Sequence, residues 1–451
     1  MKIAIKSRAV AACLLWATAI FYHNLVMAAI PVQHWTQASG AKVYLVESPA
    51  IAMLDVQLDF DAGSRRVPAG QAGLAGATAA LLSKGVAARG TDRALDENAL
   101  GEAWADLGAS FSASAGLDRF SFSLRSLTEP ELLNQAVLLA ARQIAEPSFP
   151  ADVWQRDRQR LGAQLKESYT RPGSVAAREF SKTVYGNHPY GHELTEGTLA
   201  RISVADMRAF HAANITRCNA RVSLVGAVTR PQADALVARL LSRLPALDCA
   251  VAKPPAAVAE VAPLEAARLL TIPFDSAQAH VLMGQPGFTR KDPDFFAITV
   301  GNYILGGGGF VSRLTEEVRE KRGLSYSVYS AFSPGRHAGA FTIGLQTRPD
   351  QAAQATEVAR QVLAKFVTEG PTTAELQAAK DNLIGGFPLL IDSNRKLLGN
   401  LSNIAWNDLP LDYLDTWTAQ IAKVSAADIK AAFGRKLQPE KMLTVTVGAA
   451  P

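Results

Sequence analysis

The sequence predicts an α+β protein with two homologous domains, each an antiparallel β-sheet covered by α-helices. The first reason is the length of 451 residues, which is more than one hydrophobic core usually serves. The second is the composition, because 48% apolar and 19% charged residues are typical of packed globular domains. The third is that hairpin patterns are interspersed with long helical patterns, which favours helices laid on antiparallel sheets.

The two halves of the chain repeat one another at a distance of roughly 220 residues, which indicates duplicated domains rather than a solenoid. The matching segments are 120–127 with 341–348, 202–210 with 424–433, and 222–227 with 445–449. Residues 250–265 are rich in alanine and proline and lack periodicity, as expected of a linker. The predicted domains are therefore 29–249 and 266–451.

Residues 1–28 have the pattern of a secretory signal peptide. Lys2, Lys6 and Arg8 form a basic start, an apolar run follows over 9–20, and small residues precede position 29. The alternative is an uncleaved membrane anchor, since Tyr-His-Asn at 22–24 interrupts the apolar stretch. No later stretch is long and apolar enough to span a bilayer. We therefore expect export to the periplasm and no membrane span after cleavage.

The charge of the mature chain argues against nucleic-acid binding. Loss of the three leader cations lowers the number of basic residues from 46 to 43, against 41 acidic residues. Nucleic-acid binding requires a clustered basic face, and the sequence shows none.

The cysteines predict one disulfide bond. Cys13 lies in the leader, which leaves Cys218 and Cys249 as an even number in an oxidising compartment. Cys218 precedes a strand-like run over 221–225, and Cys249 follows a helix-like run over 230–244 that should pack back along that strand. A loop of this size would contribute about 3 kcal/mol to stability if the bond is unstrained.

Local patterns supply the elements of each half. Alternation of apolar Leu54, Val56, Leu58 and Phe60 with polar residues predicts a half-buried strand. Further along, the patterns predict a hairpin over 107–124 that turns near 115–118, a helix over 128–144, and second-half strands over 279–284, 326–333 and 339–347.

Four consecutive glycines, Gly306, Gly307, Gly308 and Gly309, raise the question of a phosphate site. A P-loop needs Gly-Lys-Ser/Thr after the glycines, whereas Phe-Val-Ser-Arg follows here. A dinucleotide fingerprint needs a preceding strand, whereas 295–305 has a helical pattern. Two interpretations remain. One is a flexible turn between helices, and the other is a backbone surface that an extended peptide approaches closely.

The charged stretch after the glycines fits a short helix. Ser312 is a plausible N-cap, acids occupy the early turns, and Gly323 ends the helix. Arg319, Lys321 and Arg322 lie near the end, where the helix dipole favours cations. On this local account the basic cluster is a helix terminus, and Tyr326 begins the next strand.

A family resemblance changes the interpretation of this region. Residues 304–330, "ILGGGGFVSRLTEEVREKRGLSYSVYS", are very similar to the second-domain signature of the M16 metallopeptidases, the family of pitrilysin and mitochondrial processing peptidase. Other segments that resemble the family are 62–66, 186–210, 286–305, 387–394 and 404–417. The resemblance implies α+β domains that form a clam-shaped chamber for peptides.

The resemblance also implies roles for particular residues. Members of the family use an Arg and a Tyr seven residues apart to contact the substrate backbone near the cut bond, and Arg319 and Tyr326 match this pair. A cation and a phenol there can stabilise the negative charge that develops on the scissile carbonyl oxygen. Glycines 306–309 resemble, in shorter form, the loop that the non-catalytic processing-peptidase subunit offers to substrate.

The zinc motif of the family is missing from its expected place. Active members carry His-x-x-Glu-His on a first-domain helix, where two His bind zinc and the Glu acts as base. In this chain the stretch is 73–82, "GLAGATAALL". The residues in the motif positions are Gly76, Ala77, Thr78, Ala79 and Ala80, and the third ligand aligns with Gln164. We expect no metal on this chain.

Histidines elsewhere do not replace the motif. His188 and His192 are four apart, but Pro189 and Gly191 break the helix that such a metal site needs, so a structural turn is predicted. His211 is interpreted as a surface or packing residue.

The leading functional hypothesis is a non-catalytic, substrate-binding subunit of a heterodimeric periplasmic zinc peptidase. Its partner would be a homologous subunit that carries His-x-x-Glu-His and the zinc, and its substrates would be peptides. The alternative is a proteolytically inactive scaffold or peptide-binding protein of the same fold. A third possibility is an autonomous zinc peptidase.

Overall fold

Two β-sheets, one in each half of the chain, organise the protein. The computed structural model describes residues 30–251 and 255–449. The predicted signal peptide, 1–28, lies outside the described residues. Within these ranges no helix has both the length and the apolar character needed to cross a membrane.

The first half holds a six-stranded sheet in the order β1-β2-β8-β3-β7-β6. Its strands are β1 (Gln33–Thr36), β2 (Lys42–Glu47), β3 (Met53–Phe60), β6 (Ser110–Ala115), β7 (Phe120–Leu127) and β8 (Ala220–Gly226), with a separate ribbon of β4 (Gly85–Val86) and β5 (Leu95–Asp96). Its helices are α1 (Leu74–Leu81), α2 (Glu97–Asp106), α3 (Pro130–Ala145), α4 (Ala151–Ser168), α5 (Pro172–Tyr185), α6 (Glu196–Arg201), α7 (Val204–Asn214) and α8 (Arg230–Leu240).

The second half holds a five-stranded sheet in the order β9-β13-β10-β12-β11. Its strands are β9 (Arg268–Ile272), β10 (Ala279–Pro286), β11 (Ser327–Phe332), β12 (Ala340–Thr347) and β13 (Leu443–Val447). Its helices are α9 (Phe295–Asn302), α10 (Ala352–Glu369), α11 (Thr373–Gly386), α12 (Asn394–Trp406), α13 (Tyr413–Lys423) and α14 (Ala426–Lys436).

The sequence repeat corresponds to a repeat of topology. Read from β2 and from β9, the two sheets have the same strand order, with β8 matching β13, β3 matching β10, β7 matching β12 and β6 matching β11. Each sheet is antiparallel apart from one parallel pair, β2 with β8 and β9 with β13. The repeated helix starts also agree, because Ser203 and Ser425 each form a capping box with an Asp three residues later. The predicted α+β fold with two homologous parts is confirmed.

Each half lends one helix to the sheet of the other half. Helix α5 of the first half packs on β10 and β13, with Ala176, Phe180 and Val184 against Val445 and Val447. Helix α12 of the second half packs on β8 and β3 of the first sheet. Residues from Val32 onward accordingly form one compact unit, and the domain boundaries at 250–265 stay a prediction.

The exchange of helices explains why the prediction of a half-buried strand for β3 was wrong. The apolar face of β3 is buried as expected, but Asp55 and Asp59 on the opposite face are only 3% and 0% exposed. Helix α12 covers that face and offers Ser402, whose hydroxyl donates to Asp59 at 2.7 Å. Arg119 completes the arrangement with an ion pair to Asp59 at 3.3 Å. The local alternation of polar and apolar residues cannot predict this burial, because the helix that covers the polar face comes from the other half of the chain.

The other local predictions agree with the structure. The hairpin is β6 and β7 joined by a turn at 116–119, and the helix predicted over 128–144 is α3. The three predicted strands of the second half are β10, β11 and β12. Cys218 and Cys249 form a disulfide with Cα atoms 5.3 Å apart, which links the start of β8 to the chain after α8.

Protonation of His211 is expected to destabilise the fold in acid. His211 is 7% exposed, its Nε2 lies 2.8 Å from the carbonyl oxygen of Ile144, and burial lowers its pKa from the usual 6.5 to about 4. Because the unfolded chain binds this proton more readily, the contribution is fully present above pH 6.5 and is lost as the pH falls towards 4. The difference between a pKa of 6.5 and one of about 4 corresponds to about 3 kcal/mol of unfolding free energy.

The matching experiment compares urea unfolding of the natural protein and His211→Gln at pH 7 and pH 4. The glutamine can still donate to Ile144 but does not titrate, so the variant should lose about 3 kcal/mol less stability across this range. Equal losses in the two proteins would show that His211 does not govern acid stability.

Candidate functional site

The glycine-rich segment begins where α9 widens into a looser turn. The amide of Gly308 donates to the carbonyl of Tyr303 at 2.8 Å, a bond that reaches five residues back instead of four. Glycine is required here by close packing, because a Cβ on Gly306 would lie 2.4 Å from the backbone nitrogen of Ser330. Gly309 has a φ of +62°, which favours glycine for conformational reasons.

This segment also covers part of β11, which is an edge strand of the second sheet. The Asn302 side chain donates to the Ser330 carbonyl at 3.2 Å and accepts from the Ser330 hydroxyl at 2.8 Å. Gly306 is buried beneath this contact, whereas Gly307 and Gly309 are exposed. We therefore expect any contact between a peptide and this segment to fall to Gly307 and Gly309.

The charged turn after the glycines is fastened to α11. Arg313 binds the carboxylate of Glu375 through two bonds of 2.6 and 2.7 Å. Burial alone would raise the pKa of Glu375, but hydrogen bonds from Arg313 and Thr372 outweigh it and lower the pKa to about 2. Glu375 is therefore ionised at any physiological pH, and the clamp holds the segment rigidly.

Ser312 occupies the predicted N-cap position, with an extended backbone and a carbonyl that accepts from the Glu316 amide at 3.0 Å, but its side chain does not cap the helix. Its hydroxyl donates to the Gly309 carbonyl at 2.7 Å and lies 3.1 Å from the hydroxyl of Thr315, so it closes the glycine turn and leaves the helical amides uncapped. The helix end is as predicted. Gly323 has a φ of +61°, and its amide donates to the Arg319 carbonyl at 2.8 Å.

The basic residues of this turn divide into two groups. Lys321 and Arg322 bind Glu317 at 2.7 and 2.6 Å, and these bonds lower the pKa of Glu317. Lys321 and Arg322 are therefore the basic residues of an ordinary helix C-terminus, as the local sequence pattern predicts. Arg319 does not share that role, since it has no ion pair with Glu317 and its nearest carboxylate is Glu320, which lies 3.4 Å from its Nε.

Arg319 is held between two exposed aromatic rings. Its guanidinium carbon lies 4.8 Å from the ring centre of Phe310 and 4.9 Å from that of Tyr326. Phe310 is 73% exposed and Tyr326 is 81% exposed. In the described part of the chain the Tyr326 hydroxyl makes no hydrogen bond. Stacking fixes the plane of the guanidinium. Its Nε pairs with Glu320 at 3.4 Å, whereas its two terminal nitrogens make no hydrogen bond within the described residues, which suits a donor aimed at a ligand carbonyl.

An apolar groove adjoins this aromatic and cationic cluster. It lies between the glycine-rich segment and α11, and its volume is about 440 Å³. Its lining residues are Tyr303, Ile304, Val311, Ala374, Glu375, Ala378, Ala379 and Asn382. Val311, next to Phe310, is 75% exposed at its rim. A groove of this size accommodates an apolar side chain.

The helix expected to carry the zinc motif has no ligand. On α1, Gly76 and Ala80 are exposed one turn apart on the same face, as two zinc-binding histidines would be. Ala77, Thr78 and Ala79 are buried in the packing of the helix. Gln164 is exposed on α4. None of these side chains is a usual zinc ligand, so the residues present do not fit the metal.

Metal-ligating side chains do not gather elsewhere in the two described ranges, where no three or more His, Cys, Asp or Glu residues are placed to hold an ion. His188 and His192 flank a short turn over Pro189–Gly191, and Nδ1 of His188 accepts from the Tyr190 amide at 3.1 Å. This pair serves a structural turn, as predicted.

The fold and this site define a peptidase-like chain whose helix α1 carries no zinc ligand at the motif positions, and comparisons with known proteins agree. The family described as peptidase M16 inactive domain matches residues 201–383. The crystal structure of a peptidase M16 inactive domain from Pseudomonas fluorescens matches with a TM-score of 0.86 and 36% identity, covering 93% of this chain and 98% of that chain. The chain belongs to the M16 peptidase family.

Relatives in this family carry different descriptions. An uncharacterized zinc protease of Streptomyces coelicolor is 31% identical over 265 residues, which is 58% of this chain and 57% of that protein. The non-peptidase homolog YmxG of Helicobacter pylori is 26% identical over 418 residues, covering 90% of this chain and 91% of that protein. Within the family, this chain is one in which the zinc-motif positions hold no ligands.

Sequence reasoning missed Phe310 as a member of the site. The adjacent Phe310 and Val311 directly after four glycines were a usable signal, because neighbouring apolar residues in a loop can form an exposed apolar patch, and such patches mark interaction sites. The position of Phe310 over Arg319 depends on the turn geometry, which sequence does not reveal.

Proposed function

We propose that this chain is the non-catalytic, substrate-binding subunit of a heterodimeric zinc peptidase in the periplasm. The zinc and its activated water belong to a homologous partner subunit that carries His-x-x-Glu-His. This chain contributes Arg319 and Tyr326, which donate to the carbonyl oxygen of the bond to be cut.

The observation that carries the proposal is the state of Arg319. Arginines that serve only structure are satisfied, as Arg313 is by Glu375 and Arg322 is by Glu317. Arg319 instead stacks on two exposed rings and has one longer ion pair, from Nε to Glu320 at 3.4 Å, and its two terminal nitrogens have no hydrogen-bond partner among the described residues. Such a preoriented cation is worth most when it meets negative charge that develops during a reaction.

The surroundings of Arg319 suit a peptide. The exposed backbone at Gly307 and Gly309 permits close approach of another chain, and the 440 Å³ groove offers room for an apolar side chain.

In the first half, β6 is an edge strand whose serines at 110, 112 and 114 are exposed. An edge strand of this kind can bind an extended peptide by adding a strand.

Two observations support a periplasmic location. The leader pattern at 1–28 predicts export, and the Cys218–Cys249 disulfide suits an oxidising compartment.

The alternative function is an inactive scaffold or peptide-binding protein, and the loss of every zinc ligand favours it. A scaffold, however, gives no reason to keep an exposed tyrosine stacked on an arginine whose terminal nitrogens have no partner among the described residues. We therefore place the scaffold second, and the autonomous zinc peptidase third because α1 offers no ligand.

The test is reconstitution. This chain, a homologous subunit that carries the zinc motif, and their equimolar mixture are assayed for cleavage of a quenched fluorescent peptide. We expect activity in the mixture that exceeds the sum of the separate proteins by at least tenfold. Equal activity from the zinc-bearing subunit alone would leave this chain without the proposed role.

A further inference from the structure

A buried tryptophan at the end of α12 lies among three arginines. Trp406 is 2% exposed, and its ring centre lies 5.1 Å from the guanidinium carbon of Arg336, 5.2 Å from that of Arg221 and 5.5 Å from that of Arg119. Arg119 and Arg221 belong to the first half of the chain, whereas Arg336 and Trp406 belong to the second. The cluster therefore lies at the contact between the halves.

Several hydrogen-bond donors of this cluster lack an acceptor. The buried Nε1 of Trp406, Nε of Arg221 and Nε of Arg336 have no hydrogen-bond partner within the described ranges. The hydroxyl of Ser223 is also unpartnered, and it points to the same face of β8 as Arg221 because the two are two residues apart. A buried donor without an acceptor costs folding free energy. The three nitrogens can only donate, so they need an acceptor.

The charge around Trp406 is unbalanced. Arg119 is matched by Asp59. The carboxylate of Asp408 is shared by Arg221 at 3.4 Å, Lys291 at 3.5 Å and Lys42 at 4.0 Å. The guanidinium of Arg336 has no ion pair among the residues that the structure describes. Burial lowers the pKa of Arg336, and the neighbouring charge of Arg221 lowers it further, against the opposite effect of the Asp61 and Asp408 carboxylates.

We infer that Trp406, Arg221 and Arg336 bind a small anion, a halide or a carboxylate, at the contact between the two halves. Donors without acceptors and a local excess of positive charge both call for a negative ligand, whereas a neutral water would satisfy the donors and leave the charge. The ligand is small, since Trp406 and Ser223 are 2% and 0% exposed. By bridging α12 to β8, the anion stabilises the exchanged helix on the first sheet.

The experiment measures thermal unfolding at constant ionic strength, with chloride or acetate replacing gluconate, an anion too large for the site. We expect the midpoint to rise by about 3–5 °C between 1 and 100 mM of the bound anion. A rise with chloride alone identifies a halide site, and a rise with acetate alone identifies a carboxylate site. No rise with either anion overturns the inference.

Matched variants locate the effect. Arg336→Gln should abolish the anion-dependent rise, whereas Arg348→Gln should keep it, because Arg348 is an exposed arginine paired with Asp350. If Arg336→Gln does not fold, crystals of the natural protein grown in bromide give a second measurement. An anomalous peak within hydrogen-bond distance of Trp406 Nε1 supports a halide site, and its absence together with no acetate-dependent rise contradicts the inference.

Discussion

Arg319→Ala is expected to lower the turnover of the mixture with a zinc-bearing subunit by about 100-fold, without separating the two subunits. The reason is that the guanidinium stacks on Phe310 and Tyr326 and has only an exposed ion pair to Glu320, so its loss removes stabilisation of developing charge and little folding energy. Tyr326→Phe, which keeps the ring and removes the hydroxyl, should lower turnover by a smaller factor. Turnover is followed at saturating peptide, and association by analytical ultracentrifugation.

Arg322→Ala is the matched control for this prediction. Arg322 lies three residues from Arg319 on the same turn but is bound to Glu317, so its loss should change turnover by less than about twofold. Similar losses in Arg319→Ala and Arg322→Ala would indicate that both act through the structure of the turn. Unchanged turnover in Arg319→Ala and Tyr326→Phe would reduce the pair to a structural feature.

Asp59→Ala is expected to reduce the free energy of unfolding by about 3–5 kcal/mol. Asp59 is fully buried, and it accepts hydrogen bonds from Gln57 and Ser121 at one oxygen and from Ser402 and Arg119 at the other. Its removal leaves these donors without their acceptor and a cation without its partner. Urea unfolding followed by circular dichroism measures the change.

A control and a cycle show whether Asp59 joins the two halves. Asp350→Ala removes an exposed carboxylate and should change stability by less than about 0.5 kcal/mol. A double-mutant cycle of Asp59→Ala with Ser402→Ala should give a coupling of about 1 kcal/mol or more, because the two side chains are hydrogen-bonded. Additive effects would mean that α12 docks on the first sheet independently of this contact.

The sequence was sufficient for the fold class because the relevant signals are local or repeated. Alternation located β10 and β12, turn composition located the hairpin of β6 and β7, and the repeat at roughly 220 residues matches the equivalent strand order of the two sheets. The exchange of α5 and α12 was not predictable. It depends on which sheet a helix meets in space, and the burial of Asp59 is its consequence.

The candidate site was likewise predicted from the sequence only in part. The type and spacing of Arg319 and Tyr326 were visible in the sequence through a family resemblance, and so was the absence of ligands at 76–80. The stacking of Phe310 on Arg319 and the burial of Gly306 were not visible, because both depend on turns whose hydrogen bonds reach five residues back. The N-cap position of Ser312 was visible, but the side-chain bond was not, because the hydroxyl donates to the Gly309 carbonyl of the glycine turn.

We propose that this chain binds the peptide substrate while the zinc lies on another polypeptide. The most direct measurement separates the subunits of an active mixture and determines the zinc content and peptidase activity of each. We expect about one zinc per partner subunit, and neither stoichiometric zinc nor peptide cleavage in this chain. One zinc per molecule of this chain, together with cleavage of peptides by the chain alone, would contradict the proposal.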